Sequence, residues 1–370
     1  MGALAWAKGY TTRSAGDVDN TYTATYSLRK LVSEGYLPVD ASNNLLLDSG
    51  LDDMRWQVTW AESYETFDEE LEDRFSEAEG FVVFVHGWTG DYSIWEMLPS
   101  IITQANRRLV AIAIDHNGFG GTRFVTDPDV EQCNPPAAMR TLQRWVDLIK
   151  IRRQLGDPRL KVVNFVGHSM GGATLFYCDP LQWRYGEYTR YSIAPALLLE
   201  DEMKQAFYTS MGIGLSLVRR IPAFEIVYQA VKPRILSILC AGATDRVKET
   251  HRVQSDVVGR GTTGATIMAM GVLRDWEIPR NFDLHRILLG HRDPLVGLNP
   301  ALDLMMKLEF PAANLRVVPG THYMFSVGRD YAFQHAQSRE LVVDDILQLH
   351  NKAYQMQKTG HRIGGSAGLG

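Results

Sequence analysis

Residues 162–172 read Val-Val-Asn-Phe-Val-Gly-His-Ser-Met-Gly-Gly, an apolar run of β-branched and aromatic residues that passes straight into a Gly-His-Ser-Met-Gly turn. A strand that turns this sharply into a helix strains the backbone at the turn residue, and the neighbours of that residue must be small enough not to collide. Gly167 and Gly171 meet that demand around Ser169, while Gly172 and Ala173 let a helix starting near Met170 pack closely on the strand. The segment is therefore committed to a strand-turn-helix unit that pushes the Ser169 hydroxyl into a pocket, the arrangement of a nucleophilic serine. In a chain with 32 glycines an isolated match carries little weight, so the surrounding segments decide.

Those segments repeat the pattern. Phe81 to Val85 is a continuous apolar run of the kind buried on both faces of a parallel sheet, and His86-Gly87-Trp88-Thr89-Gly90 follows at once. Leu109 to Ile114 is a second such run, ending in Asp115 to Thr122; Tyr191 to Leu197, Arg286 to Gly290 and Asn314 to Gly320 supply three more. Arg55 to Trp60 alternates polar and apolar residues as a half-buried strand does. Between these runs, a helix over about 137–155 carries Leu142, Trp145, Val146 and Ile149 at helical spacing, stopping at Gly156-Asp157-Pro158, and a last helix over about 338–355 carries Val342, Ile346, Leu349 and Ala353. Strands alternating with helices of this length predict an α/β fold: a mostly parallel sheet covered by helices on both faces.

The alternation breaks over 199–282, where Met203, Phe207, Met211, Gly214, Val218 and Ile221 recur at three- and four-residue steps and predict an inserted helical cap. The chain of 370 residues, 45% apolar and 22% charged, is long enough for one elaborated domain. Its expected organisation is an N-terminal extension over 1–50, a core over 51–198 and 283–358, the cap over 199–282, and a flexible Gly-rich tail over 359–370. The extension holds one short helix around Ser27 to Glu34 and no recognisable chemistry; it is free to brace the cap, cover the sheet or mediate dimerisation. An acidic surface stretch runs from Glu62 to Glu79.

Several functional classes are disfavoured. The net charge of −5 gives no electrostatic reason to bind nucleic acid or an anionic membrane. Cys133, Cys178 and Cys240 are widely spaced and odd in number, which suits neither a disulfide framework nor a metal site, so no metal and no cofactor is expected. The first residues lack signal-peptide character, Trp6 stands where a myristoylation signal needs Ser or Thr, and no apolar stretch is long enough to span a membrane. The expectation is a soluble, cytoplasmic protein acting on a small hydrophobic molecule.

A serine hydroxyl is a poor nucleophile at neutral pH and needs a base that a carboxylate orients. Asp293 follows the strand ending at Gly290, and His322 follows the strand ending near Pro319, which completes the chain order Ser, acid, His. Asp245, after the apolar run Ile235 to Ala241, is the other carboxylate in play.

With His86-Gly87-Trp88, Asp115 to Gly120, Gly167 to Gly171, Asp293-Pro294 and His322 in this order, residues 55–355 resemble the α/β-hydrolase superfamily, in particular lidded members related to esterases, lipases and carbon–carbon bond hydrolases. The resemblance implies Ser169 as nucleophile, Asp293 as acid and His322 as general base, with the backbone N–H groups of Trp88 and Met170 as oxyanion hole. It makes His86 and His168 scaffold or pocket-wall residues, His291 a loop residue and Asp115 structural. A serine at the elbow also excludes the aspartate-nucleophile branches. The implied activity is hydrolysis of carboxylic esters of hydrophobic or aromatic substrates; carbon–carbon hydrolases, lactonases, amidases and acyltransferases use the same triad, and a non-catalytic fold that binds a hydrophobic ligand is the competitor from another class.

Overall fold

The computed structural model describes residues 11–13, 21–61, 78–150, 162–178, 188–197, 199, 202–218, 221–273, 277–326 and 334–359. The leading residues, nearly all of the stretch from Glu62 to Glu79, Gly156-Asp157-Pro158 and the tail over 360–370 lie outside them. Among the described residues one sheet of nine strands runs through the molecule: β1 (Thr11–Arg13), β2 (Thr21–Ser27), β3 (Arg55–Ala61), β4 (Gly80–Val85), β5 (Leu109–Ile114), β6 (Val162–His168), β7 (Tyr188–Ile193), β8 (His285–Gly290) and β9 (Leu315–Val318). Their order is β1-β2-β3-β5-β4-β6-β7-β8-β9. The strands from β5 to β9 in that order pair in parallel, and β1, β2 and β3 pair antiparallel at one edge.

Burial follows composition. Every residue of β4, β5 and β6 is buried, because a run such as Leu-Val-Ala-Ile-Ala-Ile has no polar face to offer and is stable only with helices on both sides. The helices are α1 (Leu28–Ser33), α2 (Val39–Ser49), α3 (Leu98–Ala105), α4 (Val130–Cys133), α5 (Pro135–Lys150), α6 (Met170–Phe176), α7 (Glu202–Val218), α8 (Pro222–Leu239), α9 (Asp245–Val257), α10 (Arg260–Gly271), α11 (Leu298–Lys307) and α12 (Gln334–Thr359). α3 and α12 pack together on one face, and α2, α5 and α6 form a group on the other.

Before position 50, Thr11–Arg13 and Thr21–Ser27 are strands of this sheet. β2 pairs with β3 over its whole length, from Thr21 opposite Ala61 to Ser27 opposite Arg55, and the Tyr22 and Trp60 rings stack at 5.8 Å. The Ser27 hydroxyl then accepts the Lys30 N–H, which starts α1.

Two elements differ from the sequence reading. β7 begins at Tyr188 and ends at Ile193 rather than running from Tyr191 to Leu197; Ala194, at φ 43°, turns the chain away before Pro195. The apolar series from Met203 does form a helix, α7, which ends at Val218, but Met203 is 85% and Phe207 60% exposed. Its packed side is set by glycine instead: a Cβ on Gly212 would stand 2.6 Å from the Gly264 carbonyl and one on Gly264 2.8 Å from that of Gly212, so α7 and α10 cross nearly backbone to backbone.

Candidate active site

β6 delivers Ser169 to the first turn of α6 at φ 54°, ψ −116°, a conformation that an L-residue holds only where its surroundings impose it. They do so through the main chain. The Ser169 N–H donates to Ile193 O at 3.0 Å, and Ser169 O accepts from Ala173 N–H at 2.9 Å and Ala196 N–H at 3.0 Å. The flanking glycines are obligatory on space alone, since a Cβ on Gly167 would lie 2.5 Å from Gly171 O, and one on Gly171 would lie 2.2 Å from Val85 O.

In a parallel sheet the loops at the carboxyl ends of the strands converge on one edge, and the loops after β4, β6, β8 and β9 supply the remaining groups. The β8 and β9 loops are bound together by His291 N–H to Val318 O and Arg292 N–H to Gly320 O, both 2.9 Å. His322 Nδ1 donates to Asp293 Oδ2 at 2.8 Å, while Asp293 Oδ1 accepts from the Leu295 and Val296 N–H groups at 2.8 and 3.1 Å. Burial pushes the Asp293 carboxyl up, but His322 and these two amides more than offset it, and it stays below the ordinary carboxylate range. With Nδ1 carrying the proton, His322 Nε2 is the bare nitrogen; it is buried and has no hydrogen-bond partner among the described residues, so no bond yet joins it to the Ser169 hydroxyl. Contacts of this kind often close only around substrate.

Asp245 is elsewhere. It opens α9, pairs with Lys248 at 2.9 Å, and its side chain is 96% exposed. The apolar run before it, from Ile235, forms the end of α8 at Leu239.

The loop after β4 lies directly on the elbow, for a Cβ on Gly87 would stand 2.9 Å from Ser169 Cβ. Trp88, Ser169 and Met170 line one cavity of about 80 Å³, and neither the Trp88 nor the Met170 N–H donates to an acceptor among the described residues. The Trp88 indole is turned away, donating to Thr266 Oγ1 at 3.1 Å and Thr263 O at 3.3 Å. The other walls are carbon: Phe207 and Met211 of α7, Ile238 of α8, Ile267 and Met270 of α10, and Val296 beside the acid loop. Sequence reading missed the α10 residues, because Arg260–Gly271 is buried on almost every side and so shows no amphipathic period.

The remaining histidines of the motifs are fully buried and neutral. His86 Nε2 accepts the His116 N–H at 3.1 Å, which places its proton on Nδ1 toward Gly87 O at 2.7 Å; burial lowers it to about 3. His168 Nε2 donates to His322 O at 3.0 Å, with the two rings 4.6 Å apart, and burial holds it well below the usual range. His291 is exposed in its loop. Asp115 binds Arg55 Nε and the Gly121 N–H, each at 2.6 Å, and the Tyr92 N–H at 2.8 Å, which orders the loop after β5. Among the described residues no group of His, Cys, Asp or Glu is placed to hold a metal ion, and no helix is long and apolar enough to cross a membrane.

The family model described as the alpha/beta hydrolase family matches residues 82–361. Among solved structures, a thermophilic esterase from Thermogutta terrifontis is similar with a TM-score of 0.52 at 14% identity, over 82% of this chain and 95% of that one. A peroxisomal alpha-beta-hydrolase from Saccharomyces cerevisiae is similar with a TM-score of 0.53 at 14% identity, over 95% and 94% of the two chains. An enol-lactonase from Burkholderia xenovorans LB400 gives 0.50 at 15% identity, over 80% and 96%. At such identities the likeness is one of fold, and no curated protein matches the chain.

Proposed function

The chain belongs to the alpha/beta hydrolase family, and from that premise we propose that it cleaves carboxylic esters with apolar acyl groups through an acyl-enzyme on Ser169. The observation that carries this reading is Ser169, held at φ 54° on the wall of an apolar cavity that Trp88 and Met170 also line, neither of whose N–H groups meets an acceptor among the described residues, and on the same sheet edge as a histidine oriented by a carboxylate.

His322 Nε2 takes the hydroxyl proton as Ser169 Oγ attacks the acyl carbon. The carbonyl oxygen becomes an oxyanion on the Trp88 and Met170 amides, which meet no other acceptor among the described residues. Asp293 keeps the proton on Nδ1 and stabilises the imidazolium. His322 then returns its proton to the leaving alkoxide as the carbon–oxygen bond breaks, and water repeats the sequence on the acyl-enzyme to release the acid. The helices inserted between β7 and β8 act as the cap of this pocket.

The cavity limits the acyl group. At about 80 Å³ it is smaller than the roughly 150 Å³ that holds a benzene ring, so short acyl chains fit it best. Hydrolysis of p-nitrophenyl esters from acetate to palmitate, with Ser169→Ala as control, tests both parts. The expected result is turnover highest at acetate to butyrate and absent in the variant. Activity retained by Ser169→Ala removes the acyl-enzyme, a maximum at palmitate removes the cavity argument, and no turnover of any ester shifts the assignment to lactone or carbon–carbon bond cleavage.

A further inference from the structure

We propose that His251, carried on α9, is a positioning residue of the catalytic centre that braces the oxyanion loop at Thr89 and the base loop at Tyr323. It touches no reacting atom. Its two ring nitrogens join two segments that are 234 positions apart in the chain and that both have to be in place for the chemistry proposed above, on which this inference rests.

The direction of each bond follows from counting protons. Thr89 Oγ1 lies 2.7 Å from Trp88 O, and a carbonyl only accepts, so the one hydroxyl proton is committed there. The same oxygen is 2.8 Å from His251 Nδ1 and therefore accepts the Nδ1–H. That leaves His251 Nε2 bare, and it accepts the Tyr323 O–H. Only a neutral imidazole with its proton on Nδ1 satisfies all three groups; burial supports that state by lowering His251 to about 4.

Both ends need holding. Thr89 is a β-branched residue at φ 56°, a conformation that persists only when something else imposes it. It follows Trp88, which lines the cavity beside Ser169. Tyr323 follows His322, and their rings are 5.6 Å apart. α9 is itself fixed, since Gln254 accepts the Gly120 N–H at 3.1 Å and donates to Asp91 Oδ2 at 2.9 Å, and the Thr250 and Ser93 hydroxyls meet at 2.8 Å. This inserted helix is thus bolted to the loops after β4 and β5, and His251 transmits its position to the two catalytic loops.

The test compares wild type, His251→Phe, Thr89→Val and the double variant, reading kcat and KM for p-nitrophenyl acetate and the affinity of phenylboronic acid, a mimic of the tetrahedral intermediate. In His251→Phe, kcat falls at least tenfold with KM within about twofold, boronic acid binding weakens by a similar factor, and the double variant is no worse than the worse single one. Should His251→Phe fail to fold, Thr89→Val keeps His251 in place and carries the same expectation. A folded variant with kcat within twofold of wild type, or a loss confined to KM, overturns the inference. So does full additivity of the two substitutions. Wild type that neither turns over ester nor binds the boronic acid removes the hydrolytic reading and this inference with it; an active wild type with an unaffected His251→Phe removes the inference alone.

Discussion

At φ 54°, Ser169 keeps its place because the residues two positions away on either side, Gly167 and Gly171, have no side chain. A methyl on Gly171 would stand only 2.2 Å from Val85 O, and backbone in the sheet cannot yield. Gly171→Ala is therefore expected to lower the urea midpoint by the equivalent of at least the 1–3 kcal/mol typical of overpacking, with activity lost in proportion to folded protein. The two candidate acids separate at this scale too. Asp293→Asn is expected to reduce kcat about 10³–10⁴-fold with little change in fold, because the amide favours the wrong His322 tautomer. Asp245→Asn, at an exposed helix start, is expected to leave kcat within twofold. Chain order favours Asp293 in the sequence, yet Asp245 stays in play because it too follows an apolar run, and a short apolar run serves equally as strand or buried helix. Ser169 and His322 were legible because each ends a run whose β-branched residues and flanking glycines exclude the helix.

At the scale of elements, the four helices between β7 and β8 divide by their contacts. α9 and α10 are tied to the loops of the core through His251, Gln254, Thr263 and Thr266, whereas α7 and α8 carry apolar side chains outward. Phe207 and Ile238 are 60% and 45% exposed and also line the cavity, so they contribute to substrate contact more than to the core. Phe207→Ala and Ile238→Ala are expected to raise KM for butyrate esters severalfold while leaving the melting temperature within about 2 °C, since surface substitutions typically change stability by less than about 0.5 kcal/mol. Steady-state kinetics beside a thermal melt distinguishes this from core loss. The period of apolar residues found α7 but not its orientation. That is set by Gly212 and Gly264, and a close helix crossing leaves no hydrophobic signature.

For the whole molecule, the sheet was legible from β4 onward, where continuous apolar runs admit burial on both faces and little else. Of the antiparallel edge, β3 was legible by its alternation of polar and apolar residues, but β1 and β2 were not, because Thr-Tyr-Thr-Ala-Thr-Tyr-Ser is polar in composition; its β-branched and aromatic residues were the available signal. The interior also holds an unusual set of neutral imidazoles. Burial lowers His86 to about 3 and His251 and His350 to about 4, and holds His116, His168 and His285 well below the usual value. In the unfolded chain each binds a proton near pH 6.5, so between about pH 6.5 and 4 the unfolded state carries protons that the native state lacks. Stability is then fully present above pH 6.5 and falls on acidification, by up to about 1.4 kcal/mol per pH unit for each histidine. Asp115, which burial raises to about 6 despite Arg55, works the opposite way as a single group. Melting temperatures are expected to drop steeply from pH 6.5 to 4.5, and a flat profile would contradict the buried neutral state.

The central claim, a covalent acyl-enzyme on Ser169, is tested most directly by intact and peptide mass spectrometry of protein quenched in acid during turnover of p-nitrophenyl butyrate. One butyryl adduct is expected, on the peptide containing Ser169 and absent from Ser169→Ala. Sustained turnover with no adduct there, or an adduct on another residue that persists in Ser169→Ala, would contradict it.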